Sequence, residues 1–146
     1  PMPNPTRKKE NYRAMDITAS TAHGRVPITV IHIKGSIDSS THQTFQAVSE
    51  TIINDGARHL LIDLKEAHYI SSAGLRTIHI LFNKLRAIHN DVNDDELRVQ
   101  MKAGSYKSPY IKVANLSPQA KDAFELSGFE TYIETFDDIS TAVASF

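Results

Sequence analysis

From Ile28 to Lys34 the chain reads Ile-Thr-Val-Ile-His-Ile-Lys, four β-branched apolar residues among polar ones, and Gly35 ends the run. That composition favours a pleated strand. Met15 to Ala19 alternates weakly before a turn at His23-Gly24, so the two stretches predict a hairpin. Asp38-Ser39-Ser40-Thr41 is rich in residues that cap helix starts. Beyond it Phe45, Val48, Ile52 and Ile53 recur at helical spacing until Gly56. His59 to Leu64 is short and mostly apolar, the pattern of a strand covered on both faces. Ser71-Ser72-Ala73-Gly74 then opens the clearest helix, with Leu75, Ile78, Leu81, Phe82, Leu85 and Ile88 as its apolar stripe.

The second half is less regular. Asn90 to Glu96 reads as an acidic loop, and Leu97–Lys102 and Tyr110–Ala114 as strand-like pieces. Ser117-Pro118 pairs an N-cap with a first-turn proline, and Ser127-Gly128 stops that helix. Tyr132-Ile133 reads as a short strand, and Asp137-Asp138 cap a last helix carrying Ile139, Val143 and Phe146. Strand and helix alternate, which predicts a single α/β domain over 14–146: a mixed sheet of four to five strands with helices mainly on one face. Residues 1–13, with three prolines and five charges, read as a flexible arm.

Composition narrows the function. The 146 residues carry 16 Lys+Arg against 17 Asp+Glu, a net charge of -1, so nucleic acid and anionic membrane are not expected partners. Without cysteine there is no disulfide, thiol chemistry or cysteine-held metal. No apolar run reaches the roughly 18 to 20 residues of a membrane span, and a cytoplasmic setting is the expectation. The seven histidines (23, 32, 42, 59, 68, 79 and 89) show neither His-x-x-x-His spacing nor an H-E-x-x-H motif, so no metal or other cofactor is expected. The loop at Ser71 lacks the first glycine of a G-x-S-x-G elbow, and no histidine follows residue 89 to complete a hydrolase order. Asp63 ends an apolar strand as a receiver phosphoacceptor does, but the acidic cluster that would hold magnesium is missing; it is expected to cap the turn after its strand. Phosphate-cradling glycine loops are absent. The serine pair remains, with two readings. One is simple capping of the helix. The other is a phosphoacceptor, whose phosphoryl group would sit against free N–H groups at the positive end of the helix dipole.

The stretch from Leu60-Leu61-Ile62-Asp63-Leu64 through Tyr69-Ile70-Ser71-Ser72-Ala73-Gly74-Leu75 resembles the signature of STAS-domain anti-sigma factor antagonists. In that family a buried strand leads into an Asp-Ser-Ser/Thr-Gly-Leu segment that opens a helix. Gly35-Ser36-Ile37-Asp38 is similar to the family's Gly-Glu-Leu-Asp, and Asn115 to Pro118 with Phe124 to Phe129 is similar to its closing strand-to-helix segment. The resemblance implies a regulator that accepts a phosphoryl group but catalyses nothing. Ser72 would be the acceptor, with Ser71 the alternate, because Ser71 replaces the family's aspartate and Ala73 its second hydroxyl. Unphosphorylated, the protein would bind a cognate serine kinase that doubles as the anti-sigma factor; a PP2C-type phosphatase would reset it. The docking surface implied comprises Gly35, Ser36, Asp38 and Ser39, then Ser71, Ala73, Gly74 and Arg76. Residues 91–108 read as an insertion or an extended hairpin relative to compact members. Two other functions stay open: an unphosphorylated scaffold subunit of a regulatory or lipid-transport complex, and a small-molecule sensor or weak enzyme near Ser71–Ser72. Oligomeric state is not legible.

Overall fold

The computed structural model describes residues 15–146, so the expected arm at 1–13 lies outside the described residues. The elements follow in the order β1 (Met15–His23), β2 (Pro27–Gly35), α1 (His42–Asn54), β3 (Leu60–Glu66), α2 (Ser72–His89), α3 (Asp94–Lys102), β4 (Ile111–Ala114), α4 (Pro118–Ser127), a 3-10 turn (Phe129–Thr131), β5 (Thr135–Phe136) and α5 (Ile139–Ser145). The five strands form one mixed sheet in the order β1-β2-β3-β4-β5. β1 and β2 are the antiparallel hairpin, in register from Met15 opposite Gly35 to His23 opposite Pro27. The other pairings are parallel.

Alternation along the strands sends odd and even residues of β2 to opposite faces. Ile31 and Ile33 enter the main core with Ile62, Ile111 and Val113, covered by Phe45 and Ile53 of α1, Leu75 to Leu85 of α2, Leu97 of α3 and Phe124 of α4. The other face is smaller: Ile28, Val30, Leu61 and Ala114 pack against Ala142 of α5, with Ile139, Val143 and Phe146 at its margin. Gly24 in the hairpin turn abuts that helix, since a Cβ there would stand 2.8 Å from the Val143 carbonyl oxygen. Buried Lys112 clamps the end of α5: its Nζ donates to the Ser145 carbonyl (2.9 Å) and pairs with Glu134 (3.1 Å), 4.8 Å from the Phe146 ring centroid. A buried ammonium is tolerable only with such partners.

Helix ends follow the sequence signals. Ser117 accepts a hydrogen bond from the Ala120 amide with Pro118 in the first turn, and Gly128 closes α4 in the left-handed region (φ 80°). Asp138 caps α5 by accepting from the Thr141 amide. Two expectations are corrected. Leu97–Lys102 is not a strand and 91–108 is not a hairpin: Asn93 accepts from the Glu96 amide and three acids fill the first turn, so a helix starts at Asp94. Acidic side chains favour the positive end of a helix dipole, which outweighs the short alternation in Leu-Arg-Val-Gln. Arg86 of α2 fixes this helix by donating to the Val92 carbonyl (2.9 Å) and to Asp94 (3.2 Å). Tyr132-Ile133 is likewise no strand. Both residues are buried after the 3-10 turn, and the strand forms two residues later.

Phe82 joins these parts, fully buried, with its ring 4.9 Å from Tyr132 and 6.0 Å from Tyr106. Phe82→Ala is expected to lower the unfolding free energy by about 3–5 kcal/mol in chemical denaturation.

Candidate functional site

Strands β2 and β3 run parallel, so the loops leaving them emerge at the same end of the sheet. A short bridge zips those loops together beyond the strands, with Ile37 opposite Ile70. The Ile37 amide donates to the Tyr69 carbonyl (2.9 Å) and the Ser71 amide to the Ile37 carbonyl (2.8 Å). Gln119 of α4 straps the second loop, donating to the Ile70 carbonyl and accepting from the Ile70 amide, both at 2.8 Å. The Gly35–Ser39 and Ser71–Gly74 segments, separate in sequence, thus form one surface. Gly74 is what lets them meet: a Cβ there would lie 2.7 Å from Ile37 Cγ2 and from Ile70 Cγ1.

The two serines have different places. Ser71 is the N-cap of α2 and accepts from the Gly74 amide (3.3 Å). Ser72 is the first helical residue and is exposed, and none of the described side-chain hydrogen bonds involves it. Arg76, also exposed, stands one turn further along α2. Ser72 lines an apolar groove of about 320 Å³ with Leu75, Arg76, His79, Ser127 and Phe129. Tyr69 and Leu126 are exposed next to this region in sequence, Leu126 to 88%. His79 is packed rather than free, with Nδ1 2.8 Å from the Tyr132 hydroxyl among aromatic rings. Burial, then the Arg86 charge, lowers its pKa.

The first loop is rigid for its own reasons. Thr41, the N-cap of α1, does not cap with its side chain. It accepts from the Asp38 amide (2.9 Å) and donates to the Ser36 carbonyl (2.7 Å). Asp38 accepts from the Ser40 hydroxyl (2.7 Å) and amide (2.9 Å), which hold its carboxyl below its ordinary value. The exposed tip is Ser39.

Asp63 does not cap a turn after its strand as expected: it stands in the middle of β3 and accepts from the Lys65 amide two residues on in the same strand (3.0 Å). It also does more than the sequence suggested. Oδ1 accepts from Asn115 Nδ2 (2.8 Å) and Oδ2 lies 2.7 Å from His32 Nδ1, so one carboxylate ties β2, β3 and the end of β4. Burial alone would raise its pKa, but the bonds from Asn115, His32 and the Lys65 amide outweigh burial and lower it.

A model of the STAS domain matches residues 19–92. The chain belongs to the STAS domain family. In sequence the chain is similar to the Bordetella bronchiseptica protein BtrV, named as an anti-sigma factor antagonist, at 24% identity over 114 residues, covering 78% of this chain and 82% of that one. An anti-sigma factor antagonist from Mycobacterium paratuberculosis superposes with a TM-score of 0.64 at 15% identity, over 90% of this chain and 92% of the other. Bacillus SpoIIAA superposes in its phosphorylated form with a TM-score of 0.58 and 15% identity, over 89% and 98% of the two chains. At those identities the structural likeness is one of fold. Among the described residues, no helix is long and apolar enough to cross a membrane.

Two outcomes test this geometry. Gly74→Ala should destabilise the fold by about 1–3 kcal/mol through overpacking against Ile37 and Ile70, read from the denaturation midpoint. The second concerns acid. A carboxyl whose pKa is lower folded than unfolded stabilises the protein above its unfolded value, and that stability is lost as pH falls through the folded value. With an ordinary value of 3.8 for Asp63, wild type should lose stability below that pH, and Asp63→Asn should be weaker at neutral pH yet lose less on acidification.

Proposed function

We propose that this STAS protein is a phosphorylation-switched anti-sigma factor antagonist. Unphosphorylated, it binds a serine kinase that is also the anti-sigma factor. Phosphorylation at Ser72 releases that partner, and a PP2C-type phosphatase restores binding. The observation that carries this reading is the split between the two serines: Ser71 is committed to capping while Ser72 is exposed and unengaged at the first turn of the same helix.

Phosphate chemistry suits that place. A phosphoryl group brings roughly −1.5 to −2 charges, and the first turn of α2 offers unpaired amides and the positive end of the dipole. No acidic side chain occupies that turn, and Arg76 lies at the i+4 position, one turn along the same helix. The modification therefore leaves the fold intact. It alters the docking face, where a strongly hydrated dianion would stand beside the apolar groove of Leu75 and Phe129. The bridged loop of Gly35, Ser36, Asp38 and Ser39 and the segment of Ser71, Ala73 and Gly74 supply the rest of that face. The likeness to SpoIIAA, known in both phosphorylated and unphosphorylated forms, agrees with a switch of this kind.

The test is to fish the kinase from the native host and measure binding by calorimetry and modification by mass spectrometry. Ser72→Ala should bind like wild type and take up no phosphate. Ser72→Asp should bind at least about tenfold more weakly, roughly 1.4 kcal/mol. Phosphate on Ser71 would move the site by one residue. Equal binding by all three proteins would rule out the switch.

A further inference from the structure

The half of the second sheet face that α5 leaves uncovered holds a chain of three side chains from three strands. Ser20 Oγ on β1 lies 3.0 Å from His32 Nε2 on β2, and His32 Nδ1 lies 2.7 Å from Asp63 Oδ2 on β3. Asp63 is almost covered, its side chain 9% exposed, while the His32 ring is 35% exposed and Ser20 faces solvent. The direction of these bonds follows from Asp63. Its ionised carboxylate can only accept, so His32 Nδ1 carries the hydrogen, and in the neutral imidazole Nε2 is then the acceptor for the Ser20 hydroxyl. Hydroxyl, imidazole and carboxylate thus stand in the order that activates a serine nucleophile.

Asp63 needs its partners because it is buried. Nothing comparable requires the Ser20 link, since an exposed hydroxyl is satisfied by water. His32 and Asp63 also line an open depression of about 490 Å³ with Asp16, Thr18, Lys34, Lys65 and Glu66, next to Ser20 but not lined by it. Its lining holds three carboxylates, Asp16, Asp63 and Glu66, against two lysines, Lys34 and Lys65, so it disfavours an anionic group. The strand edge supplies donors. The Thr29 amide donates to the carbonyl of His59, the residue before β3, so the backbone groups of odd residues of β2 face β3 and those of even residues face β1. Ser20, opposite Val30, is therefore hydrogen-bonded inward. The amides of Ala19 and Thr21 on either side of it point out of the sheet, and among the described residues no strand pairs with that edge.

We propose that Ser20 is an activated nucleophile that takes an acyl group from an uncharged, activated ester. Ser20 Oγ attacks the ester carbonyl carbon while its proton passes to His32 Nε2, and one outward amide of the edge donates to the developing oxyanion. Collapse breaks the bond to the leaving alkoxide, which takes the proton from His32. The products are acyl-Ser20 and the free alcohol. Asp63 is a positioning residue that holds the imidazole in the needed tautomer. This chemistry goes beyond the sequence expectation of a protein that catalyses nothing, and it does not depend on the Ser72 switch.

The experiment incubates the full chain with p-nitrophenyl acetate and maps acetyl groups by peptide mass spectrometry, with exposed Ser39 and Ser72 as internal references. Ser20 should be acetylated far faster than either reference. His32→Gln should slow that labelling by about 100-fold, the scale of a lost general base. Ring ¹⁵N shifts should show His32 protonated at Nδ1 in wild type and shifted toward the Nε2–H form in Asp63→Asn. Acetylation of Ser20 no faster than of Ser39, labelling indifferent to His32→Gln, or a wild-type ring protonated at Nε2 would each overturn the proposal.

Discussion

The approach of α2 to the loop that leaves β2 is the contact on which the docking face depends. Ile37 and Ile70 pair through backbone bonds, and Gly74 lies so close to both that no methyl group fits. Backbone pairing fixes position without depending on any one side chain's rotamer. It sets where the helix begins, and hence that Ser71 turns inward to cap while Ser72 points outward. Gln119 braces the same loop from α4, so a third element shares the constraint. Strands β2 and β3 bring these loops close, and Gly74 lets them touch.

The two faces of the sheet meet the demand for cover differently. Parallel strands are ordinarily buried on both sides. Helices α1 to α4 bury one face with a continuous apolar core, whereas seven-residue α5 covers only part of the other. At the covered end a charge is buried and neutralised, as Lys112 is by Glu134 and Ser145. At the open end polar residues replace apolar ones at the same alternating positions, so His32 continues the line of Ile28 and Val30, and Asp63 that of Leu61. A carboxylate among apolar neighbours then recruits every donor in reach, which is why Asn115, His32 and the Lys65 amide converge on it.

Much of this was legible in the sequence because it is local. A run rich in β-branched residues marked β2, a short continuous apolar run marked β3, period-3.6 runs marked α1 and α2, and Ser117-Pro118 with Gly128 bounded α4. The misreadings came from competing local signals. Leu97 to Lys102 alternates for a few residues, but Asn93 and three acids ahead of it are a helix start, and that signal was present to be read. Tyr132 and Ile133 are apolar because the main core covers them, not because they pair with a strand. The serine pair was legible as a helix start, but which serine caps was not, since either could. Chemistry assembled across strands was hidden: Ser20, His32 and Asp63 lie 12 and 31 residues apart and meet only once the register is fixed. The Asp38 network was partly hidden too, since Thr41 looks like a cap and instead ties down the loop.

The resemblance that suggested the switch has aspartate where this chain has Ser71, and the structure gives that difference a physical meaning. The position is the N-cap, where aspartate and serine are about equally good because each offers an oxygen to the amide three residues on. The fold is therefore indifferent to the exchange, and Ser71 still accepts from Gly74. The local charge is not. With aspartate in place the acceptor serine already sits beside one negative charge, and phosphate deepens an existing field. With Ser71 the first turn of α2 holds no acid, so the proposed modification would put the first negative charge there. Coulomb interaction scales with the product of charges. A partner that meets this surface by apolar contact then distinguishes the two states mainly by the cost of desolvating one new anion, and a single hydroxyl is enough to set that cost.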